Sequence, residues 1–235
     1  MRGSGRWRDG ILDRMLLHPE ETESGPWRPV GDDALAALLT RLLPEGRGVL
    51  LVDGRSGSGK STFAERAAAL LGGVTVHSDD LAWHHDAIAW DDLAVPHVIE
   101  PWRRGEDVDY RPPGWVARDR HGSVRVPADV RVLVLEGVGA GRASLATHAN
   151  AVVWVQSDRV EARERGLRRD VELGRTPEEA ERFWDEWMSA EEPFLAGDRP
   201  WERADLVVSS READWAPGRT TVAMRPDEDP MTDSR

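Results

Sequence analysis

The chain has 235 residues, enough for one domain with a sizeable core, and a formal net charge of −12. That charge disfavours a nucleic-acid polymer as partner, which calls for a basic face, but it suits a small phosphorylated ligand in a local basic pocket. The absence of cysteine excludes disulfides, thiolate metal sites and a thiol nucleophile. Met1–Gly10 lacks an apolar signal core and no apolar run reaches membrane-span length, so the expectation is a cytoplasmic protein with no membrane partner.

Residues 1–30 are rich in Gly, Pro and charge and read as a loose leader with a short helix at Ile11–Leu17. Asp32-Asp33, an apolar stretch and then Pro44 predict a helix with an acidic start and a proline stop. Val49–Val52 is an apolar run ending near glycine, read as a buried strand. A helix is predicted from Lys60 to Leu71, ended by Gly72-Gly73. Val74–Val76, Val130–Leu135, Ala151–Val155 and Leu206–Val208 supply four more strands. Ser157-Asp158 can cap a helix reaching to about Asp170. Thr176, Pro177 and Glu179 form the start signal of another helix, with Phe183, Trp187, Ala190 and Phe194 on one stripe. The tail, 217–235, reads as disordered. Continuous apolar strands alternating with helices imply a parallel sheet covered on both faces.

Gly54-Arg55-Ser56-Gly57-Ser58-Gly59-Lys60-Ser61, followed by Thr62, fits G-x-x-x-x-G-K-[ST] between a predicted strand and a predicted helix. Small residues let backbone N–H groups curl around a phosphate, and the helix adds its positive end. Lys60 brings an ammonium to the outer phosphates, and the Ser61 hydroxyl can ligate Mg²⁺. Such loops also serve switches, motors and transporters, so other residues must decide the activity.

Asp79-Asp80 follows the second strand, where a carboxylate can take the proton of an attacking hydroxyl; both can equally be helix caps. Neighbours in an extended chain point opposite ways, so one of the two is expected to face the site. Glu136-Gly137 ends the third strand, the place of a Mg²⁺-holding acid beside the phosphate loop. Gly137 would let the chain pass close to the nucleotide. Arg163, Arg165, Arg168, Arg169 and Arg175 crowd a candidate lid at about 159–176, although interleaved acids also fit a solvated helix face. Residues 82–128 hold Trp83, His84-His85, Trp90, Asp91, Tyr110, Arg111 and Trp115. Val108–Tyr110 and Ser123–Val126 suggest a hairpin, and aromatics with acids suit a small-molecule pocket. His84-His85 lacks the spacing of a zinc site. The eleven tryptophans are read mainly as packing residues.

From about Gly48 to Val208 the chain resembles the uridine kinase family, including nicotinamide riboside kinases. The resemblance rests on the phosphate loop, His77-Ser78-Asp79-Asp80-Leu81, Ala89–Leu93, Trp102–Tyr110, Leu135–Val138, Arg169-Asp170, Arg175, Pro193-Phe194 and Ala204–Val208. It implies Asp79 as the base, Asp91 as the acid gripping ribose hydroxyls, and Arg169 and Arg175 as lid arginines. Leu81-Ala82 and Pro112–Trp115 depart from the family pattern.

The expected fold is therefore a three-layer α/β/α P-loop NTPase domain over 31–216, with a five-stranded parallel sheet, a lid and a substrate hairpin. The expected activity is ATP-dependent phosphorylation of a small-molecule hydroxyl, a nucleoside being favoured. A kinase for a sugar, antibiotic or nucleotide, or a nucleotide-dependent switch, are the alternatives. ATP and Mg²⁺ are the expected cofactors: Gly54, Ser56, Gly57, Ser58, Gly59, Lys60, Ser61 and Thr62 for the nucleotide, Ser61 and Glu136 for the metal. Catalysis would fall to Asp79, Lys60, Arg169 and Arg175, and acceptor binding to Asp80, Trp83, Asp91, Tyr110 and Arg111.

Overall fold

The computed structural model describes residues 14–211 and 218–224. Its elements in chain order are β1 (Arg28–Gly31), α1 (Asp32–Leu42), β2 (Gly48–Asp53), α2 (Lys60–Leu71), β3 (Val74–His77) and α3 (Ser78–Leu81). Then come α4 (Asp91–Ala94), a π-helical turn (Val95–Ile99), α5 (Glu100–Arg103), β4 (Val108–Tyr110), α6 (Pro113–Ala117) and β5 (Val124–Val126). The chain continues through β6 (Val132–Glu136), α7 (Ala143–Ala146), β7 (Ala151–Gln156), α8 (Arg159–Glu172), α9 (Pro177–Asp198), β8 (Leu206–Ser209) and β9 (Arg219–Met224).

The main sheet has the order β1-β9-β8-β7-β2-β6-β3. Its β3-β6-β2-β7-β8 portion is parallel throughout, and these are the five strands read from the apolar runs. The sheet is larger than expected, because β9 pairs antiparallel with β8 and β1 pairs antiparallel with β9. Two expectations are corrected by this. Residues 28–30, assigned to a loose leader, form the outer strand with Gly31, and 219–224, assigned to a disordered tail, form the strand inside it. Their backbone groups pair with each other across the chain, a partnership no local pattern announces. The predicted helix at Ile11–Leu17 begins outside the described residues, and Arg14–Leu17 is not helical.

Both faces of the parallel strands are covered, as their unbroken apolar sequences require. Val49, Leu51, Leu133 and Leu135 pack into one cluster with Trp90, Leu93, Ile99 and Trp102. Leu50, Val52, Val134 and Val153 pack into a second with Leu35, Leu39 and Phe63 from α1 and α2. The alternation of β2 between the two clusters is the pleat of a strand buried on both sides. Trp90, Trp102 and Trp154 are fully buried, with indole N–H groups satisfied by Val138 O, Val130 O and the Glu21 carboxylate respectively. β4 and β5 pair in a separate two-stranded ribbon, as predicted.

Helix ends follow their sequence signals. Asp158 accepts N–H bonds from Val160 and Glu161 at the start of α8. Thr176 and Glu179 form a complete capping box on α9, and Gly72 closes α2 in the left-handed conformation. The buried stripe of α9 is displaced one residue from the predicted one: Ala180, Trp184, Glu191 and Leu195 are buried, while Phe183 and Trp187 are half-buried.

Candidate active site

The register of the parallel strands brings the site together. Glu136, the last residue of β6, lies beside Val52 of β2 on one side and His77 of β3 on the other. The phosphate loop leaves the carboxyl end of β2, where β6 and β7 flank it. This is the crevice in which ligands of open α/β sheets bind.

The loop is held on three sides. Beneath it, the fully buried Asp53 carboxylate accepts N–H bonds from Gly54 at 2.7 Å and Gly141 at 2.8 Å. Burial pushes the Asp53 carboxyl up to about 7, against the pull of those two N–H groups and Lys60. At the apex, the Ser56 N–H reaches both oxygens of the buried Glu191 of α9, at 3.1 and 3.2 Å. On the α8 side, Arg165 donates to Gly57 O and Ser210 O, each at 2.8 Å. Gly57 has φ of 75°, and a Cβ there would lie 2.0 Å from Ala162 O, so only glycine lets loop and helix approach this closely. Gly59 then starts α2, whose free N–H groups and positive end face the loop.

Beside the loop, Ser61 Oγ donates to Glu136 Oε1 at 2.9 Å, and His77 Nδ1 lies 2.6 Å from Glu136 Oε2. His77 Nε2 lies 2.9 Å from Glu65. Held chiefly by its hydrogen bond to Glu136, the His77 imidazole is raised to about 9. Burial pushes the Glu136 carboxyl up, but His77, Lys60 and Ser61 outweigh it and hold it below the usual range. A hydroxyl and an ionised carboxylate are the hard oxygen donors Mg²⁺ takes when phosphates and water complete its shell, so Ser61 and Glu136 fit that ion. Gly137 lines the cleft and also makes room for Ser78, whose Oγ would lie 1.8 Å from a Cβ at that position.

Asp79 completes the cleft. It lies on the first turn of α3 and lines one cavity with Lys60, Ser61, Glu136 and Arg169. Its neighbour turns away, because the pair sits in a helical turn and not in extended chain. Asp80 pairs with Arg120 at 2.6 Å and its carbonyl accepts from Trp115 Nε1, so it anchors the segment between β4 and β5. The other residues expected to hold an acceptor are likewise occupied and do not line this cleft. Trp83 lies under the Arg120 guanidinium, Tyr110 stacks on His97, Arg111 bonds Arg120 O, and Asp91 pairs with Arg142 at 2.9 Å.

Arg169 lines the cleft and pairs with Asp170 at 3.0 Å; Arg175 approaches Asp170 at 3.7 Å and lies over the Phe183 ring. One wall of the cleft comes from α9, through Phe183, Trp184 and Trp187. Trp187 Nε1 donates to Glu191 Oε2 at 2.8 Å, so one carboxylate holds both the loop apex and an indole. Glu191 was not among the predicted site residues, although its four-residue spacing from Trp187 puts it on the same helix face. A second cavity of about 300 Å³ lies across the loop, lined by Ser58, Gly59, Thr62, Arg165, Arg168 and Ser210 among others.

No family model and no curated protein matches the chain. Two solved structures are similar in fold. One is a provisionally named uridine kinase from Bacillus stearothermophilus, 20% identical, with 75% of this chain and 96% of that chain covered and a TM-score of 0.51. The other is a provisionally named fructose transport system kinase from Silicibacter sp. TM1040, 20% identical, covering 74% and 95%, with a TM-score of 0.47. The chain therefore has a P-loop kinase fold like that of the uridine kinase.

Proposed function

We propose that the protein transfers the γ-phosphoryl group of ATP to the hydroxyl of a small molecule. One observation carries this reading: a single cleft gathers the phosphate-loop Lys60 and Ser61, the strand-end acid Glu136, the arginine Arg169 and a carboxylate, Asp79, that has no hydrogen-bond or ion-pair partner among the described residues. A nucleotide switch has no use for the last of these.

The phosphates would lie on the N–H groups of Gly57–Thr62, with Lys60 on the outer two. The cavity across the loop, of a size that suits a nucleoside moiety, would take the rest of ATP. Ser61 and Glu136 would hold Mg²⁺, which neutralises charge on the phosphate oxygens. The acceptor oxygen attacks the γ-phosphorus while the bond to the β-phosphate oxygen breaks. Asp79 takes the hydroxyl proton, and ADP leaves with the bonding pair. Lys60, Arg169 and, after movement of the α8–α9 turn, Arg175 stabilise the charge spread over the equatorial oxygens. His77 keeps Glu136 ionised and aimed at Ser61.

The test is ADP release from Mg-ATP with and without alcohols from a panel of nucleosides, sugars and nucleotides. Stimulation by one class, absent in Lys60→Ala, supports the reading; release indifferent to every alcohol in the wild type would refute it.

A further inference from the structure

We infer that the acceptor is a ring-bearing alcohol and that its ring lies on the aromatic wall of α9, on Trp187 and Phe183, instead of on the β4–β5 side. The inference rests on the kinase reading above and adds where, and on what chemistry, the acceptor is held.

Two observations meet here. The residues on the β4–β5 side that could grip an acceptor are engaged with one another. Arg120 alone occupies Asp80 by an ion pair and the faces of Trp83 and Trp115, at 5.2 and 3.8 Å from their ring centroids. Tyr110 spends its face on His97, parallel within 6°. Binding a ring there would break these contacts before making new ones. On α9 the two rings border the cleft itself. Phe183 and Trp187 are half-buried, line the same cleft as Asp79, and have ring centroids 6.4 Å apart.

The wall is also fixed in place. The Trp187 N–H is bound to Glu191, which is buried and tied to the phosphate loop. A ring immobilised before binding loses little entropy when a ligand stacks on it. Both rings are half-exposed along the cleft that holds Asp79, so a ring stacked on them lies beside the group that would take the hydroxyl proton. Glu191 is then a positioning residue, acting through Trp187 and Ser56.

The experiment uses the full chain with Mg-ATP and three probes: uridine with a flat base, fructose with a saturated ring, and glycerol with none. At least one ring-bearing probe should accelerate ADP release, and glycerol should not. Trp187→Leu should raise the KM for that probe about tenfold or more, the scale of one lost ring stack, while the KM for ATP stays within about twofold. Trp187→Phe, which keeps a ring, should recover most of the loss, and Phe183→Leu tests the second ring should Trp187→Leu fold poorly. A KM rise confined to Trp83→Leu or Tyr110→Leu, or efficient use of glycerol, would overturn the inference while leaving the kinase reading intact. Indifference of ADP release to all three probes and to the wider panel would remove both.

Discussion

The two neighbouring aspartates have different surroundings, and a helical turn, not a pleat, separates them. Asp79 faces Lys60 and Arg169, whereas Asp80 holds Arg120. Asp79→Asn keeps the shape but cannot accept a proton, so kcat should fall by about 10²–10⁴ with ATP affinity nearly unchanged. Asp80→Asn should instead act on stability. It weakens a half-exposed ion pair that also orders two tryptophans, and a loss of about 1 kcal/mol in urea unfolding is expected, with kcat close to wild type. A larger catalytic loss at Asp80 would reverse the assignment. Lys60→Ala should lower turnover about a hundredfold or more without unfolding the chain, since it removes a charge from the transition state and no core contact. Folded Lys60→Ala that turns over ATP at the wild-type rate would count against the phosphate-loop role.

Elements were legible where their signals are local. The phosphate loop, the Thr176 capping box and the five parallel strands each announce themselves within a few residues. The pair β1 and β9 do not, because Arg28–Gly31 and Arg219–Met224 become strands only by pairing with each other and with β8, far apart in sequence. The contacts of the expected acceptor residues were hidden for a related reason: composition reveals aromatics and acids but not that Arg120 and Arg142 engage them. Packing between α8 and α9 is equally invisible in the sequence. Gly166 of α8 lies so near Trp184 that a Cβ would stand 2.1 Å from the ring. Gly166→Ala should therefore force the two helices apart and cost about 1–3 kcal/mol, an overpacking effect read by urea unfolding. It should also lower kcat, because α8 holds the loop through Arg165 and α9 through Glu191. An unchanged denaturation midpoint would mean that this helix pair is loosely packed.

At the scale of the whole molecule, the charges that build the site also set its response to pH. Asp53 binds its proton more tightly folded than unfolded, with a pKa of about 7 against 3.8, so stability should fall as pH rises between those values. His77 is raised to about 9 from 6.5; its contribution is whole below the lower value and is lost as pH rises through the upper one. Ligand-free protein should thus lose stability in two successive windows. Asp53→Asn should flatten the first and His77→Gln the second, measured by unfolding at a series of pH values. Persistence of both slopes in the two variants would assign them to other groups. Phosphoryl transfer to an alcohol is observed directly by ³¹P NMR of Mg-ATP with an accelerating alcohol. A new phosphomonoester resonance growing in step with ADP, and strongly slowed by Asp79→Asn, is the predicted result; ADP accompanied only by inorganic phosphate would contradict the account.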